Sequence, residues 1–284
     1  MNLVATGHGL GLLEGAEVAL LDLPYPDVAA MLAIGEGWAP VRAARVRERW
    51  PFDGLGSALS CPLASARAFW GVGLNYHSKV AQTGRAVPES PVLFLRSPAA
   101  VSGPGATVTL PAASRQVDYE GELAVVVGRR MSGVPAADVW SYLAGVTAAN
   151  DLTARDVMAV TGNPSLAKSF AGFGALGSSV RELTGPLPGA STSVSTWVNG
   201  VLRQHSRIDD QIFRVPELLA RISHYSVLEP GDVVLTGTPA GTGQDRSDFL
   251  RDGDVVEVSV TGVLPLRTLF AAGDADQGSG PVVR

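Results

Sequence analysis

Glycine and proline interrupt this chain so often that long helices have little room. Its 284 residues include 33 glycines and 19 prolines, and the segments between them are short. Several segments are rich in β-branched residues and bounded by Gly or Pro, as strands are: Val92–Leu95, Glu122–Val127, Val194–Val198, Val233–Thr236 and Val255–Val260. Helical patterns are fewer, the best being Ala136–Ala144 and Val215–Ser223. We therefore predict an α+β fold that is mainly β.

Composition narrows the class of protein. With 46% hydrophobic and 17% charged residues and a net charge of −5, the chain suits a globular fold and not a nucleic-acid binder. No apolar run approaches the roughly 18–20 residues of a membrane helix, and Met1–Gly11 lacks the pattern of a secretory signal. The single cysteine, Cys61, excludes an internal disulfide. We expect a cytoplasmic protein that binds neither membrane nor nucleic acid.

The organisation of the chain changes near residue 65. Residues 1–65 combine a short apolar run, a helical stretch and an Arg-rich segment: Val18–Leu23, Pro26–Ile34 and Arg42–Arg49. From Ala68 onward the pattern is mostly strand, and Ala271–Arg284 is small and polar. We predict a small N-terminal domain at 1–65 and a larger domain at 66–284 that ends in a loose tail.

Two glutamates stand at the entry of the most apolar predicted strand. Residues two apart on a strand share a face, so Glu120 and Glu122 are neighbours if the strand begins in Asp118–Glu122. Two like charges beside a buried strand repel each other unless a cation compensates them. Oxygen ligands favour Mg²⁺, Mn²⁺ or Ca²⁺. The alternative is a solvated strand face.

A second acidic segment, Asn150–Asp156, follows a small-residue apolar stretch. Asp151 in this segment has two interpretations. It could cap a helix by accepting backbone N–H groups, or it could complete a three-carboxylate site, with Arg155 one turn later to receive an anionic substrate.

Together these residues and several others resemble the fumarylacetoacetate hydrolase superfamily. The segments that carry the resemblance, in the family's order between Ala68 and Leu269, are Gly71–Tyr76, Asp118–Glu122, Ala149–Asp156, Ala167–Phe170, Asn199–Phe213 and Leu235–Gly243. The resemblance implies a mixed β-roll or barrel catalytic domain, a homodimer, and a divalent metal held by Glu120, Glu122 and Asp151. Residues 1–65 resemble the variable N-terminal domain of many members.

Members of the superfamily act on 2-oxo or 1,3-dicarbonyl acids, and their metal stabilises an enolate. The resemblance implies that Lys168 and Arg155 face the charge that develops on the substrate. It also assigns Thr238 and Gly237, in the loop Thr236–Gly243, and Tyr76 to substrate binding. By itself that loop is equally consistent with a tight connection after a strand.

The pattern departs from the family in its short lid segment. Hydrolytic members carry a His and a Glu there that activate water, whereas this chain has Lys79 and Gln82 at the matching positions. Glutamine cannot exchange a proton at neutral pH, so the usual dyad is missing. Met158 stands where the family commonly has a glutamine.

Lys79 has two interpretations. Of 22 basic residues, 20 are arginine, and the two lysines, Lys79 and Lys168, both fall at family catalytic positions. Lys79 is either a base near the metal or a solvent-exposed lid residue without a chemical role. His77, two residues earlier, is a further candidate acid or base.

We therefore predict a metal-dependent enzyme that acts on a small 2-oxo or 1,3-dicarbonyl carboxylate. Loss of the dyad favours tautomerisation, isomerisation or decarboxylation through an enolate. One alternative is a C–C bond hydrolase that uses Lys79 or His77. Another is a metal-binding homologue without catalytic activity.

Overall fold

A computed structural model of the protein describes residues 1–273. In this range the strands are β1 (Asn2–Thr6), β2 (Gly9–Glu14), β3 (Glu17–Leu21), β4 (Val46–Pro51), β5 (Leu59–Ser60), β6 (Phe69–Gly73), β7 (Val92–Arg96), β8 (Val101–Ser102), β9 (Thr107–Leu110), β10 (Val117–Asp118), β11 (Gly121–Val127), β12 (Leu143–Asp151), β13 (Thr153–Ala154), β14 (Gly174–Leu176), β15 (Ser179–Glu182), β16 (Ser193–Val198), β17 (Val201–Arg207), β18 (Val233–Leu235), β19 (Val255–Val260) and β20 (Leu266–Ala272).

Helices are short and connect the strands. The α-helices are α1 (Val28–Leu32), α2 (Ala39–Ala43), α3 (His77–Thr83), α4 (Arg155–Thr161), α5 (Pro164–Ala167) and α6 (Val215–Tyr225). Short 3-10 helices lie at Asp53–Ala58, Pro98–Ala100, Ala136–Tyr142, Gly189–Ser191, Ile208–Asp210 and Gln244–Arg246. The longest α-helix has 11 residues, and none of the helices within residues 1–273 has the length and hydropathy of a membrane span.

The centre of the fold is the antiparallel pair β11–β12, in which every residue is buried. Alternate side chains of β11 enter different cores. Leu123, Val125 and Val127 join the larger apolar cluster, whereas Ala124 and Val126 join a second one. A strand that is buried on both faces has a continuous apolar sequence, which explains why every residue of Leu123–Val127 is apolar.

The central pair belongs to the larger of two main sheets, and the second sheet packs against it. The first runs in the order β4-β3-β2-β1-β15-β12-β11-β18-β6-β7, and β5, β8 and β14 pair beside this path. The second runs in the order β17-β16-β19-β20-β9 and packs against the central pair through its apolar residues, among them Val194, Val256 and Val258. Both strand orders have two unpaired edge strands, so the sheets within the described residues do not close into a barrel. Of the two predicted forms, roll or barrel, the barrel is therefore wrong.

The N-terminal strands are hydrogen-bonded to the same large sheet. Asn2, Leu3 and Val4 of β1 pair with β15, which in turn pairs with β12. The apolar residues of α1 and α2 pack against Ala124 and Val126 in the second core. The division at residue 65 stays a prediction, with a continuous sheet crossing it.

The predicted strands are confirmed within one or two residues, and Val215–Ser223 lies in α6 as predicted. The prediction of a helix over Ala136–Ala144 is wrong after Tyr142, where β12 begins. Residues from Leu143 onward form a strand because they pair with β11, and their small and β-branched side chains fill the interior of the sheet. Ala271 and Ala272 belong to β20 and not to a tail. Positions 274–284 of the predicted tail lie outside the described residues.

Gly121, between the two glutamates, is required by close approach of the second sheet. A Cβ on Gly121 would collide with Oγ1 of Thr196 in β16 and lie 3.3 Å from Cγ1 of Val258 in β19. The two sheets therefore meet over a residue without a side chain.

We predict that Gly121→Ala lowers the free energy of unfolding by about 1–3 kcal/mol, the usual cost of overpacking a core. Urea denaturation followed by circular dichroism measures the change. Gly185→Ala is the matched control, because no atom lies within 4 Å of a Cβ built there. Equal stability of the two variants would contradict the packing argument.

Candidate active site: a buried carboxylate cluster

The β11–β12 register brings the three predicted metal ligands together. The N–H of Asp151 donates to the carbonyl oxygen of Glu120 at 2.8 Å, and Glu122 lies opposite Ala149. Residues 149 and 151 share one face of β12, so Asp151 lies on the same face as both glutamates. Asp151 ends the strand and does not cap a helix, since α4 begins at Arg155 after Ala154.

The three carboxylates are buried and close. Glu120, Glu122 and Asp151 are 7%, 1% and 1% exposed, and one oxygen from each lies within 4.8 Å of the others. The alternative of a solvated strand face is therefore wrong. Buried carboxylates of like charge require compensation by nearby cations.

Lys168 supplies one compensating charge from the end of α5. Its Nζ donates to Glu120 Oε2 and Asp151 Oδ2, both at 2.5 Å, and to Thr153 Oγ1 at 2.8 Å. The ammonium also lies 5.3 Å from the centre of the Phe94 ring. Lys168 thus lies between two candidate metal ligands, and its role toward a substrate stays a prediction.

Arg155 supplies a second charge from the first turn of α4. Its guanidinium contacts Glu120, and its Nε donates to Asp118 Oδ2 at 2.7 Å. Asp118 is fully buried and also accepts the N–H groups of Gly243 and Gln244 at 2.6 and 3.0 Å. The pair β10–β13 sets Asp118 opposite Thr153, next to the start of α4.

Arg96 supplies the third charge, and sequence reasoning missed it. The guanidinium is buried, contacts Asp151 Oδ1, and donates to the carbonyl oxygen of Lys168. The sequence feature that could have indicated Arg96 is its position as a basic residue at the end of the apolar strand Val92–Arg96. Asp118 was missed as well, although it begins the acidic motif.

The pKa values follow from this arrangement. Burial by itself raises the pKa of Glu120, but the Arg155 and Lys168 cations outweigh it and hold the pKa at about 2. Burial, and after it the Glu120 charge, raises the pKa of Glu122 to about 8. Burial lowers the pKa of Lys168 below its usual range, and it lowers the pKa of Arg96 to about 10.

The residues present fit a divalent cation. When Glu122 is ionised, Asp118, Glu120, Glu122 and Asp151 carry four negative charges against the three positive charges of Arg96, Arg155 and Lys168, an excess of one; without a cation the raised pKa of Glu122 keeps this carboxyl protonated at neutral pH. The ligand atoms are all oxygen, the donor that Mg²⁺, Mn²⁺ and Ca²⁺ prefer. Glu120, Glu122 and Asp151 would hold the ion.

The loop Thr236–Asp245, which we call the Gly/Thr loop, lies against the cluster. The N–H of Gly237 donates to Glu122 Oε2 at 2.7 Å. Thr238 Oγ1 donates to the carbonyl oxygen of Gly121 at 2.9 Å and accepts from Gln204 Nε2 at 2.8 Å. The loop thus gives backbone and side-chain donors to the protein's own acceptors.

A cavity of about 510 Å³ opens beside the cluster. Six of the predicted site residues line it: Lys79, Glu120, Glu122, Arg155, Lys168 and Thr238. The lining also includes three apolar side chains, those of Met158, Phe94 and Val72. The volume suits a small organic acid.

Four predicted residues do not line the cavity: Asp151 and Gly237 contact residues that do, whereas Tyr76 and His77 lie elsewhere. Tyr76 is fully buried behind the cavity, and its hydroxyl accepts from Gln211 Nε2 at 3.3 Å. Burial raises the pKa of Tyr76 above its usual range. His77 is exposed at the first turn of α3 and is not among the residues that line the cavity.

Both unusual lid residues contact the Gly/Thr loop. Lys79 is only 5% exposed, so the interpretation as a solvent-exposed residue is wrong. Its Nζ donates to Asp245 Oδ2 at 2.7 Å and to Thr242 Oγ1 at 2.7 Å. Gln82 Oε1 accepts the N–H of Gly241 at 3.0 Å.

The family follows from comparison of the sequence with family models. The model described as Fumarylacetoacetate (FAA) hydrolase C-terminal matches residues 68–271. The chain belongs to the fumarylacetoacetate hydrolase family. The match begins at the strand β6 and includes the three carboxylates, Arg155, Lys168 and the Gly/Thr loop.

Relatives and solved structures of this family extend over nearly the whole chain. Oxaloacetate tautomerase YisK of Bacillus subtilis is 32% identical over 274 residues, 90% of each protein. The 5-carboxymethyl-2-hydroxymuconate delta-isomerase from Mycobacterium smegmatis is 30% identical, with a TM-score of 0.78, and covers 96% of this chain and 100% of its own. Fumarylacetoacetate hydrolase from Exiguobacterium antarcticum is 28% identical, with a TM-score of 0.85, over 96% and 100% of the chains.

We predict that Mn²⁺ or Mg²⁺ raises the melting temperature of the protein and that Glu122→Gln with Asp151→Asn abolishes this rise. A ligand at a hundred times its dissociation constant stabilises the folded state by about 2.7 kcal/mol. Differential scanning fluorimetry with a metal titration measures the effect.

The matched control for this titration is Glu14→Gln with Glu17→Gln, which removes two exposed carboxylates from β2 and β3, outside the cavity lining. This control keeps the metal response of the natural sequence. An unchanged response in the Glu122 and Asp151 variant would exclude these carboxylates as metal ligands.

Proposed function

We propose that this protein is a metal-dependent tautomerase or isomerase of a small 2-oxo carboxylate. One observation carries the proposal: both lid side chains at the positions of the family's water-activating dyad are bound to the Gly/Thr loop. Lys79 is paired with Asp245, and Gln82 accepts a backbone N–H. These side chains therefore fix the helix α3 to the Gly/Thr loop and offer no histidine–glutamate pair to water, which favours a reaction that moves a proton without hydrolysis.

Glu120, Glu122 and Asp151 would hold a divalent cation, which supplies Lewis acidity toward the oxygens of a chelating 2-oxo acid. The protein's own cations face the same region. The Lys168 ammonium and the Arg155 guanidinium stabilise the negative charge that develops on the substrate oxygen when its neighbouring carbon loses a proton.

Tautomerisation is balanced without water or a redox partner. A C–H bond on the carbon next to the carbonyl breaks, an O–H bond forms at the carbonyl oxygen, and one proton is moved. The positive charge of Lys168, whose three N–H bonds are taken up by Glu120, Asp151 and Thr153, stabilises the negative charge on that oxygen before the proton arrives. Met158, Phe94 and Val72 give part of the cavity an apolar wall.

The relatives favour a substrate with two carboxylates. YisK and the mammalian Fahd2a of Rattus norvegicus are named as oxaloacetate tautomerases, and a neighbouring structure from Mycobacterium marinum as a 2-hydroxyhepta-2,4-diene-1,7-dioate isomerase. Arg85 at the cavity mouth fits this class. The other lining cations are paired with carboxylates, whereas within residues 1–273 no ion pair includes Arg85.

The direct test uses oxaloacetate and Mn²⁺. We expect the protein to accelerate the disappearance of the enol absorbance, with loss of this acceleration in Asp151→Asn, which removes a candidate ligand. Isotopically labelled water separates the alternatives: label incorporated into a cleaved product of an acylpyruvate would establish hydrolysis instead. No metal-dependent reaction with either substrate would favour a homologue without catalytic activity. A homodimer also remains a prediction, which light scattering tests.

We predict that Arg85→Gln raises KM for a 2-oxo dicarboxylate about fivefold, as expected for an exposed ion pair worth up to about 1 kcal/mol. KM for a 2-oxo monocarboxylate stays unchanged, because that substrate lacks the second charge. Steady-state kinetics with both substrates measures the difference. Arg251→Gln, an exposed arginine outside the cavity, is the matched control, and equal KM changes for both substrates would contradict the assignment.

A further inference from the structure

We propose that Lys79 and Asp245 form a buried clasp that fixes the lid helix α3 onto the Gly/Thr loop. Lys79 is then a positioning residue and not the base of the reaction. The proposal rests on the proposed function only in one respect, namely that the cavity which the clasp shapes is an active site. The clasp itself is a structural element of this chain that can be measured without substrate.

The Lys79 ammonium is fully used by the clasp. It donates to both carboxylate oxygens of Asp245, at 2.8 and 2.7 Å, and to Thr242 Oγ1 at 2.7 Å. An ammonium has three donors and no acceptor. All three N–H bonds thus have partners, and taking a proton from substrate would first require both loss of a proton and loss of the ion pair.

Asp245 connects this ammonium to the backbone of the loop. Its Oδ2 accepts the N–H groups of Gly241 and Thr242 at 3.0 and 2.9 Å. Burial by itself raises the pKa of Asp245, but the Lys79 ammonium outweighs it and holds the pKa below its usual range. Gln82, one turn after Lys79, accepts the same Gly241 N–H from the lid side.

The loop passes this restraint to the carboxylate cluster. At one end, Gly237 donates to Glu122. At the other, Gly243 and Gln244 donate to Asp118, which binds Arg155. The lid helix is therefore joined through one short loop to both sides of the candidate active site.

Both halves of the clasp line the same cavity. Lys79, Gln82 and Thr83 come from the lid helix, and Thr238, Gln244 and Asp245 come from the loop. Breaking the clasp releases the helix from the loop and widens the cavity. Because the lid then binds substrate less well in the ground state and the transition state alike, KM rises more than kcat falls.

The first test compares Lys79→Met with the unaltered protein. Hydrogen–deuterium exchange of the α3 amides, measured without substrate, is expected to accelerate about tenfold or more, as expected when a buried ion pair that closes a segment is lost. KM is expected to rise by a similar factor, with kcat changed only a few-fold and the shape of the pH profile of kcat unchanged. Loss of kcat together with one limb of that profile would overturn the proposal and make Lys79 the base.

Lys79→Arg separates the two roles directly. Arginine keeps the positive charge and can pair with Asp245, but it cannot act as a base at neutral pH. Slow α3 exchange and near-normal kcat are expected for this variant. An inactive Lys79→Arg protein with slow α3 exchange would overturn the proposal.

A double-mutant cycle covers the case in which the longer arginine does not fit. Because Asp245 also accepts the N–H groups of Gly241 and Thr242, the double variant Lys79→Met with Asp245→Asn is expected to have the α3 exchange rate of Asp245→Asn alone. Additive effects would show that the two residues act separately and would overturn the clasp. Asp248→Asn, an acid three residues later that pairs with Arg203 and Arg251 at the surface, is the matched control.

The exchange measurement also separates this proposal from the proposed function. If the protein converts no 2-oxo acid but α3 exchange accelerates in Lys79→Met and Asp245→Asn, the clasp is retained and the assigned reaction fails. If the protein is active but α3 exchange is unchanged in both variants, the clasp fails and the assigned reaction is retained.

Discussion

The arrangement around the active site depends on the need to compensate four buried carboxylates. Taking a carboxylate out of water costs several kcal/mol, by rough estimate, unless cations and hydrogen bonds replace the lost solvation. Arg96 comes from β7, Arg155 from α4 and Lys168 from the end of α5. Three separate elements thus converge on the β11–β12 pair because each carries one charge that the pair requires. The excess of one negative charge that remains when Glu122 is ionised suits a divalent cation.

The need to pair buried charges also determines the structure at the lid. Lys79 and Asp245 are both buried and neutralise each other, and Asp245 and Asp118 between them bind most of the backbone N–H groups in the second half of the Gly/Thr loop. A loop rich in glycine loses much entropy when it is ordered. Carboxylates on both sides of the loop offset that cost and place Gly237 against Glu122.

The departure from the family pattern in the lid therefore gives positions 79 and 82 a structural role. A histidine and a glutamate at these sites can exchange protons with water, whereas Lys79 and Gln82 contribute a charge and an acceptor to a fixed loop. The carboxylate cluster and its cations are present in this chain beside the altered lid. The proposed enolate chemistry requires that cluster and does not require the missing dyad.

The sequence by itself determined the predominance of strands, the shared face of Glu120 and Glu122, and the candidate ligand Asp151, because strand periodicity and the order of motifs are local properties. The end of the helix predicted over Ala136–Ala144, the partner of Lys79 and the role of Arg96 were decided only by tertiary structure. Lys79 and Asp245 are 166 residues apart in sequence, and no local pattern relates them. Burial converts such distant residues into obligatory partners, since a charge removed from water must find its counter-charge wherever the chain supplies one.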